Sequence, residues 1–254
     1  MNTDIPLLEF DSSRTALIEP TALVKEIDIP EHCVLTFFSD EVQKLVSSGQ
    51  AKKITAQKSV MGTHPVFQID FNGRPVVLFQ PGMTAPLAAT LFEELIARGC
   101  RKFIVCGGAG TLDSSISQGH IIIPDQAVRD EGTSFHYLPP SREVSASPAA
   151  VSAIETVLQR HDIAYLKGKT WTTDSFYRET PARIRKRKQE NCITVEMEAS
   201  ALFAVAQFRG VTLGQILYAG DDVGGEEWDS RMWTKNAPVR RKLIWLAAEA
   251  CLEL

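Results

Sequence analysis

What the 254-residue chain lacks narrows it first. No apolar run approaches the roughly 18 residues that a membrane helix needs, so no membrane association is expected. Positive charge is not in excess either: 27 Lys and Arg face 31 Asp and Glu, for a net charge of −4. A nucleic acid would have to be held against that field by a local patch, and no such partner is expected. The one basic run, Arg183, Arg185, Lys186, Arg187 and Lys188, falls on a helical stretch and is read as a solvated face. The five cysteines (33, 100, 106, 192 and 251) are odd in number, far apart and without a C-x-x-C pair. That excludes a disulfide framework, a zinc ribbon and a dithiol redox motif, and fits reduced thiols. The five histidines are scattered, none at metal-binding spacing, so neither a metal nor a cofactor is expected. There is no internal repeat and no low-complexity tract. Met1 to Phe10 carries Asp4 and Glu9 rather than a basic stretch followed by an apolar one, so no leader is expected and the location is taken as cytoplasmic.

What is present is ordinary globular material: 44% apolar and 23% charged residues, enough for one large core. Residues 1–32, with Pro6, Pro20 and Pro30, read as an irregular N-terminal arm, and residues 33–254 as the folded body. Residues 33–38 form an apolar strand, after which Ser39 is expected to cap a helix over 40–46. Residues 66–71 and 74–79 flank Asn72-Gly73, the pairing that favours a tight hairpin turn. Leu87, Leu91 and Leu95 make a helical stripe that Gly99 stops. Residues 102–106, 119–124 and 213–219 read as buried strands, and 149–160, 196–209 and 238–252 as helices. Strands and helices alternate, so the expected fold is α/β: a single domain with a mixed central β-sheet flanked by helices on both faces.

Three segments could carry chemistry. Gly107-Gly108-Ala109-Gly110 follows a strand and is expected to turn there, letting backbone approach a ligand. Glu196 and Glu198 sit at the expected start of a helix, where the macrodipole favours carboxylates, and ordinary first-turn acids would look the same. Asp221 and Asp222 end a strand, the usual station for an acid in α/β enzymes, and two adjacent acids cannot both point inward.

Together these segments resemble the nucleoside phosphorylase superfamily: uridine and purine nucleoside phosphorylases and related nucleosidases. The resemblance runs from about Cys33 to Val223. Gly107 and Gly108 lie in a stretch similar to the family's phosphate and sugar loop, Thr172-Thr173-Asp174-Ser175-Phe176-Tyr177 resembles its base-pocket segment, and Glu196-Met197-Glu198 matches its ribose signature. The resemblance implies that Glu198 binds ribose hydroxyls, Met197 packs on the sugar with Glu196 in support, and Phe176 stacks on the base. It implies a general acid at Asp221, protonating a purine ring nitrogen as the glycosidic bond breaks. It also implies a small-molecule nucleoside as partner and a homo-oligomeric assembly.

The departures are as informative. Thr180 and Ala182 stand where uridine phosphorylases use glutamine and arginine on uracil, which leans the expectation toward purines. Val105, Gly108, Gly62 and Glu41 stand where phosphorylases hold phosphate with arginines and a hydroxyl. Asp40-Glu41-Val42 resembles instead the stretch from which the hydrolases activate water, so Glu41 is expected to serve that role, with phosphate remaining open as co-substrate. The competing expectation is a catalytically silent nucleoside-binding member of the same fold.

Overall fold

A computed structural model describes residues 5–233 and 237–254. The arm carries a short helix, α1 (Pro20–Leu23), and then enters an alternating series: β1 (His32–Thr36), α2 (Ser39–Ser47), β2 (Ala51–Ser59), β3 (Gly62–Phe71), β4 (Arg74–Phe79) and α3 (Ala85–Arg98). The second half comprises β5 (Lys102–Thr111), β6 (Ile121–Asp130), β7 (Glu143–Ser145), α4 (Pro148–Arg160), β8 (Tyr165–Thr173), α5 (Pro181–Gln189), β9 (Cys192–Glu196), α6 (Ala199–Arg209), β10 (Thr212–Asp222) and α7 (Ala237–Leu252).

All ten strands join one mixed sheet in the order β10-β6-β8-β9-β5-β1-β4-β3-β2, with β7 on β6. β10 also pairs with β5, so β5, β9, β8, β6 and β10 close into a ring from which β1, β4, β3 and β2 extend as a tail. The hairpin at Asn72-Gly73 forms as its sequence requires, both residues taking the positive φ (53° and 80°) that Asn and Gly tolerate best. Helices flank the sheet in two packed pairs, α4 with α7 and α3 with α6. Cys33, Val34, Leu35, Phe103, Ile104 and Val105, all buried, build the centre where β1 meets β5. The arm lies on the body: the Ile27 amide donates to the Arg98 carbonyl and Glu19 pairs with Arg209. Among the described residues, no helix is long and apolar enough to cross a membrane.

Four local expectations need correction. Ser39 is the first helical residue of α2 rather than its cap, and its side chain makes no capping bond. The glycines at 107, 108 and 110 are not a turn: β5 runs through them to Thr111, none at positive φ. Glu196 ends β9, and α6 starts only at Ala199. That helix is also buried on every side from Ala199 to Ala206 rather than along one stripe, because it is wedged between α3 and the strands.

Candidate functional site

β5 changes partners along one edge, and that change leaves a gap in the ladder. β1 pairs with it up to Thr36–Cys106, and β9 takes over only at Gly110–Val195. Gly107, Gly108 and Ala109 are therefore laddered on the β10 side alone. Gly108 is exposed there while its two neighbours are buried. Packing explains the glycines: a Cβ on Gly108 would fall 2.9 Å from the buried Tyr218 ring, and one on Gly107 would lie 3.2 Å from Phe37.

Along this gap β9 hands over to α6. The Glu196 side chain is consumed by structure. Its Oε1 accepts the Thr172 hydroxyl at 2.6 Å, and its Oε2 accepts the Glu198 and Ala199 amides at 2.8 and 2.7 Å. Glu196 thus supplies the carboxylate cap of α6 and fixes the bend on which Glu198 sits. The network continues inward, from the Ser200 amide to the Thr172 hydroxyl and from the Ser200 hydroxyl to Glu131. Glu198 is buried, and its Oε1 accepts the Thr84 amide at 2.6 Å. Thr84 holds a φ of 79° with ψ 147°, a strained conformation for a residue with a Cβ, just before α3. Burial, with Glu196 nearby, pushes the Glu198 carboxyl up to about 8. Met197 is half-buried between the two acids.

The opposite flank is the end of β10. Asp221 and the 196–198 segment stand on the two strands that flank the end of β5, since β9 and β10 both pair there. The Asp221 carboxylate is half-exposed, with Oδ1 3.3 Å from where a Cβ on Gly110 would lie and Oδ2 accepting the Trp228 indole N–H at 2.7 Å. Asp222 faces elsewhere. It is buried, ion-paired with Arg231 at 2.8 Å, and accepts the Gly224 amide at 2.8 Å, which is a loop-anchoring role. Phe176 lies in a short 3-10 turn beyond β8, 45% exposed and tilted against Tyr177 with ring centroids 3.9 Å apart.

Glu41 sits in the first turn of α2. It is buried in α2, with Oε1 taken by Lys44 and Oε2 accepting Arg241 Nε of α7 at 2.9 Å. One cation thus faces each oxygen, and the carboxylate links α2 to α7. Glu41→Gln is expected to lower the melting temperature while leaving kcat within a few-fold of wild type. A fall of a hundredfold or more would return Glu41 to the chemistry.

Thr84 and Trp228 escape the sequence-level reading. Thr84 could have been found, because a Thr two residues before Pro86 is a helix-start signature. Trp228 reaches Asp221 from the loop just past β10, and nothing in its local sequence marks it.

The arrangement sets the buried Glu196 and Glu198 beyond the end of β9, the half-exposed Asp221 carboxyl at the end of β10 and the part-exposed Phe176 ring beyond β8. A family model described as "Phosphorylase superfamily" matches residues 31–252. The guanosine phosphorylase of Halorubrum lacusprofundi is 26% identical over 219 residues, covering 83% of this chain and 89% of that one. The uridine phosphorylase of Vibrio fischeri superposes with a TM-score of 0.73 at 25% identity, over 91% of this chain and 93% of that one. An AMP nucleosidase from Bacteroides thetaiotaomicron shares the fold, with a TM-score of 0.72 at 22% identity over 90% of each chain. With the matched segment spanning nearly all of its length, this chain belongs to the phosphorylase superfamily.

Proposed function

We propose that the protein cleaves the N-glycosidic bond of a purine nucleoside. Glu198 grips the ribose hydroxyls on the bend that Glu196 fixes, Met197 packs on the sugar, Phe176 stacks on the base and Asp221 protonates it. The observation that supports this reading is the pairing of β9 and β10 to the same end of β5, so that the segment carrying Glu198 and the one carrying Asp221 flank one strand. Protonating the base withdraws electrons from the breaking bond while positive charge grows at C1′, and the buried acids near the sugar stabilise that charge. The purine preference is supported by Thr180 and Ala182, neither of which offers the amide and guanidinium suited to uracil.

Water is the proposed acceptor. Phosphate needs several donors and positive charge, and Val105 and Gly108 supply neither a cation nor a hydroxyl beside the sugar. The nearby Arg240 is already engaged, donating to the Tyr218 hydroxyl at 3.2 Å and the Trp233 carbonyl at 3.1 Å and facing Asp40 at 3.5 Å. Incubating the purified protein with purine and pyrimidine nucleosides, with and without phosphate, tests this. Free purine released at equal rates in both conditions is expected. Release only with phosphate overturns the choice of acceptor, and binding without release on any nucleoside makes the protein a silent binder.

A further inference from the structure

The turn that leaves β6 touches both segments on which the proposed reaction depends. β6 and β8 pair in register up to Asp130–Thr173, so the residues just past β6 lie beside those just past β8. Glu131, buried there, divides its carboxylate between two elements. Oε1 accepts the Ser200 hydroxyl, in the first turn of α6, at 2.9 Å, and Oε2 accepts the Ser134 amide at 3.0 Å. Ser200 passes the constraint on, because its amide donates to the Thr172 hydroxyl at 2.9 Å and that hydroxyl donates to Glu196, which holds the Glu198 and Ala199 amides. The next residue of the turn reaches the base segment: the Gly132 amide donates to Asp174 Oδ2 at 2.9 Å, two residues before Phe176. Arg129, also buried, braces the turn by donating to the Ser134 hydroxyl at 2.9 Å and to the Pro139 carbonyl and Ser141 hydroxyl, each at 2.7 Å. A buried carboxylate is a costly way to fasten two elements compared with apolar packing, and what it supplies in exchange is one defined geometry.

We propose that Glu131 is a positioning residue that sets the sugar-binding bend at Glu198 against the base-stacking ring of Phe176, with Asp174 anchoring the base side to the same turn. This rests on the nucleoside-cleaving reading above. Glu131 meets neither sugar nor base: it fixes where α6 begins, and Asp174 fixes how the chain departs from β8. A nucleoside fills the sugar and base places at once and so depends on their spacing, whereas a free base fills only one. A shift of about 1 Å between the two places costs up to about a hundredfold in productive binding.

Two gentle variants test the role: Ser200→Ala, which removes one hydroxyl and leaves the amide bond to Thr172, and Glu131→Gln, whose side chain keeps its shape but can accept only one of the two donors. Amide hydrogen exchange over residues 196–202 is expected to quicken by about tenfold or more in both, with β5 and β10 as protected as in the wild type. Binding is read by calorimetry with inosine and with hypoxanthine, in an Asp221→Asn background that prevents turnover. Both variants should bind inosine about tenfold or more weakly and hypoxanthine within about twofold of the background. Asp174→Ala, at an exposed position, should weaken both ligands, because it loosens the base side. Exchange at the wild-type rate over 196–202 overturns the proposal whether or not the protein binds a nucleoside. Inosine and hypoxanthine weakened by the same factor, or a lower melting temperature with both affinities intact, also overturns it. Faster exchange in the variants of a protein that binds no nucleoside fails the functional reading and leaves the hold of Glu131 on α6 standing.

Discussion

Asp221→Asn is expected to lower kcat by about 10²- to 10⁴-fold, the usual worth of a positioned general acid, while the melting temperature stays within a degree or two of wild type. An amide has no proton to give a ring nitrogen in a way that leaves a stable anion, so the leaving base must depart unassisted. Folding should hardly notice, because the carboxylate is half-exposed and its side-chain bond is to an indole that is itself 65% exposed. Its neighbour should behave in the reverse manner. Asp222 is buried, carries the ion pair with Arg231 and receives the Gly224 amide, so Asp222→Asn should cost about 1–3 kcal/mol of stability and little kcat. Steady-state kinetics and thermal melts on both variants decide the matter. Should Asp221→Asn keep activity within tenfold of wild type, Asp221 is not the acid.

That contrast between adjacent aspartates marks the limit of what could be read from residues alone. Both end the same strand, and only the partners brought by Trp228, Gly224 and Arg231 separate them. Where local chemistry decides, the sequence reads well. Asn72-Gly73 makes its hairpin, Gly99 and Gly210 end α3 and α6 at positive φ, and the Thr180 side chain caps α5 by accepting the Arg183 amide. Where tertiary context decides, it reads poorly. β2 is lysine-rich and without an apolar run, yet it forms because β3 offers a full antiparallel edge to it. The glycines at 107 and 108 mimic a turn, whereas they are strand residues kept small by Phe37 and Tyr218. Glu196 looks like a first-turn helix acid and is instead the cap that makes the turn possible. The two acids of the 196–198 segment look alike in sequence, and only their hydrogen bonds separate them: both Glu196 oxygens accept from the chain, while Glu198 Oε1 accepts the Thr84 amide.

Glu198→Ala should be the other near-complete loss, with kcat/KM down by about 10²- to 10⁴-fold, since two hydrogen bonds from sugar hydroxyls to a charged group contribute about 1.5–3 kcal/mol each. The pH behaviour gives the sharper check. Buried beside Glu196, Glu198 has its carboxyl raised from 4.5 to about 8, so the empty site holds a proton at neutral pH. A ribose that donates two O–H groups favours the ionised form, and binding must then expel that proton. Calorimetry in buffers of differing ionisation enthalpy is expected to register proton release near pH 7, absent in Glu198→Gln; binding with no proton release in the wild type would mean that Glu198 does not meet the sugar. Stability follows the same linkage with a definite sign. A carboxyl whose folded pKa lies above its unfolded one leaves the native state binding more protons than the unfolded chain, so stability is full below about 4.5 and falls as pH rises toward about 8. Glu198→Gln cannot ionise and should flatten that fall, leaving a variant that is more stable than the wild type at pH 8 and nearly inactive. Such opposed effects from one substitution are what a carboxylate buried for the sake of its ligand should produce, and a merely structural acid would lose stability and activity together.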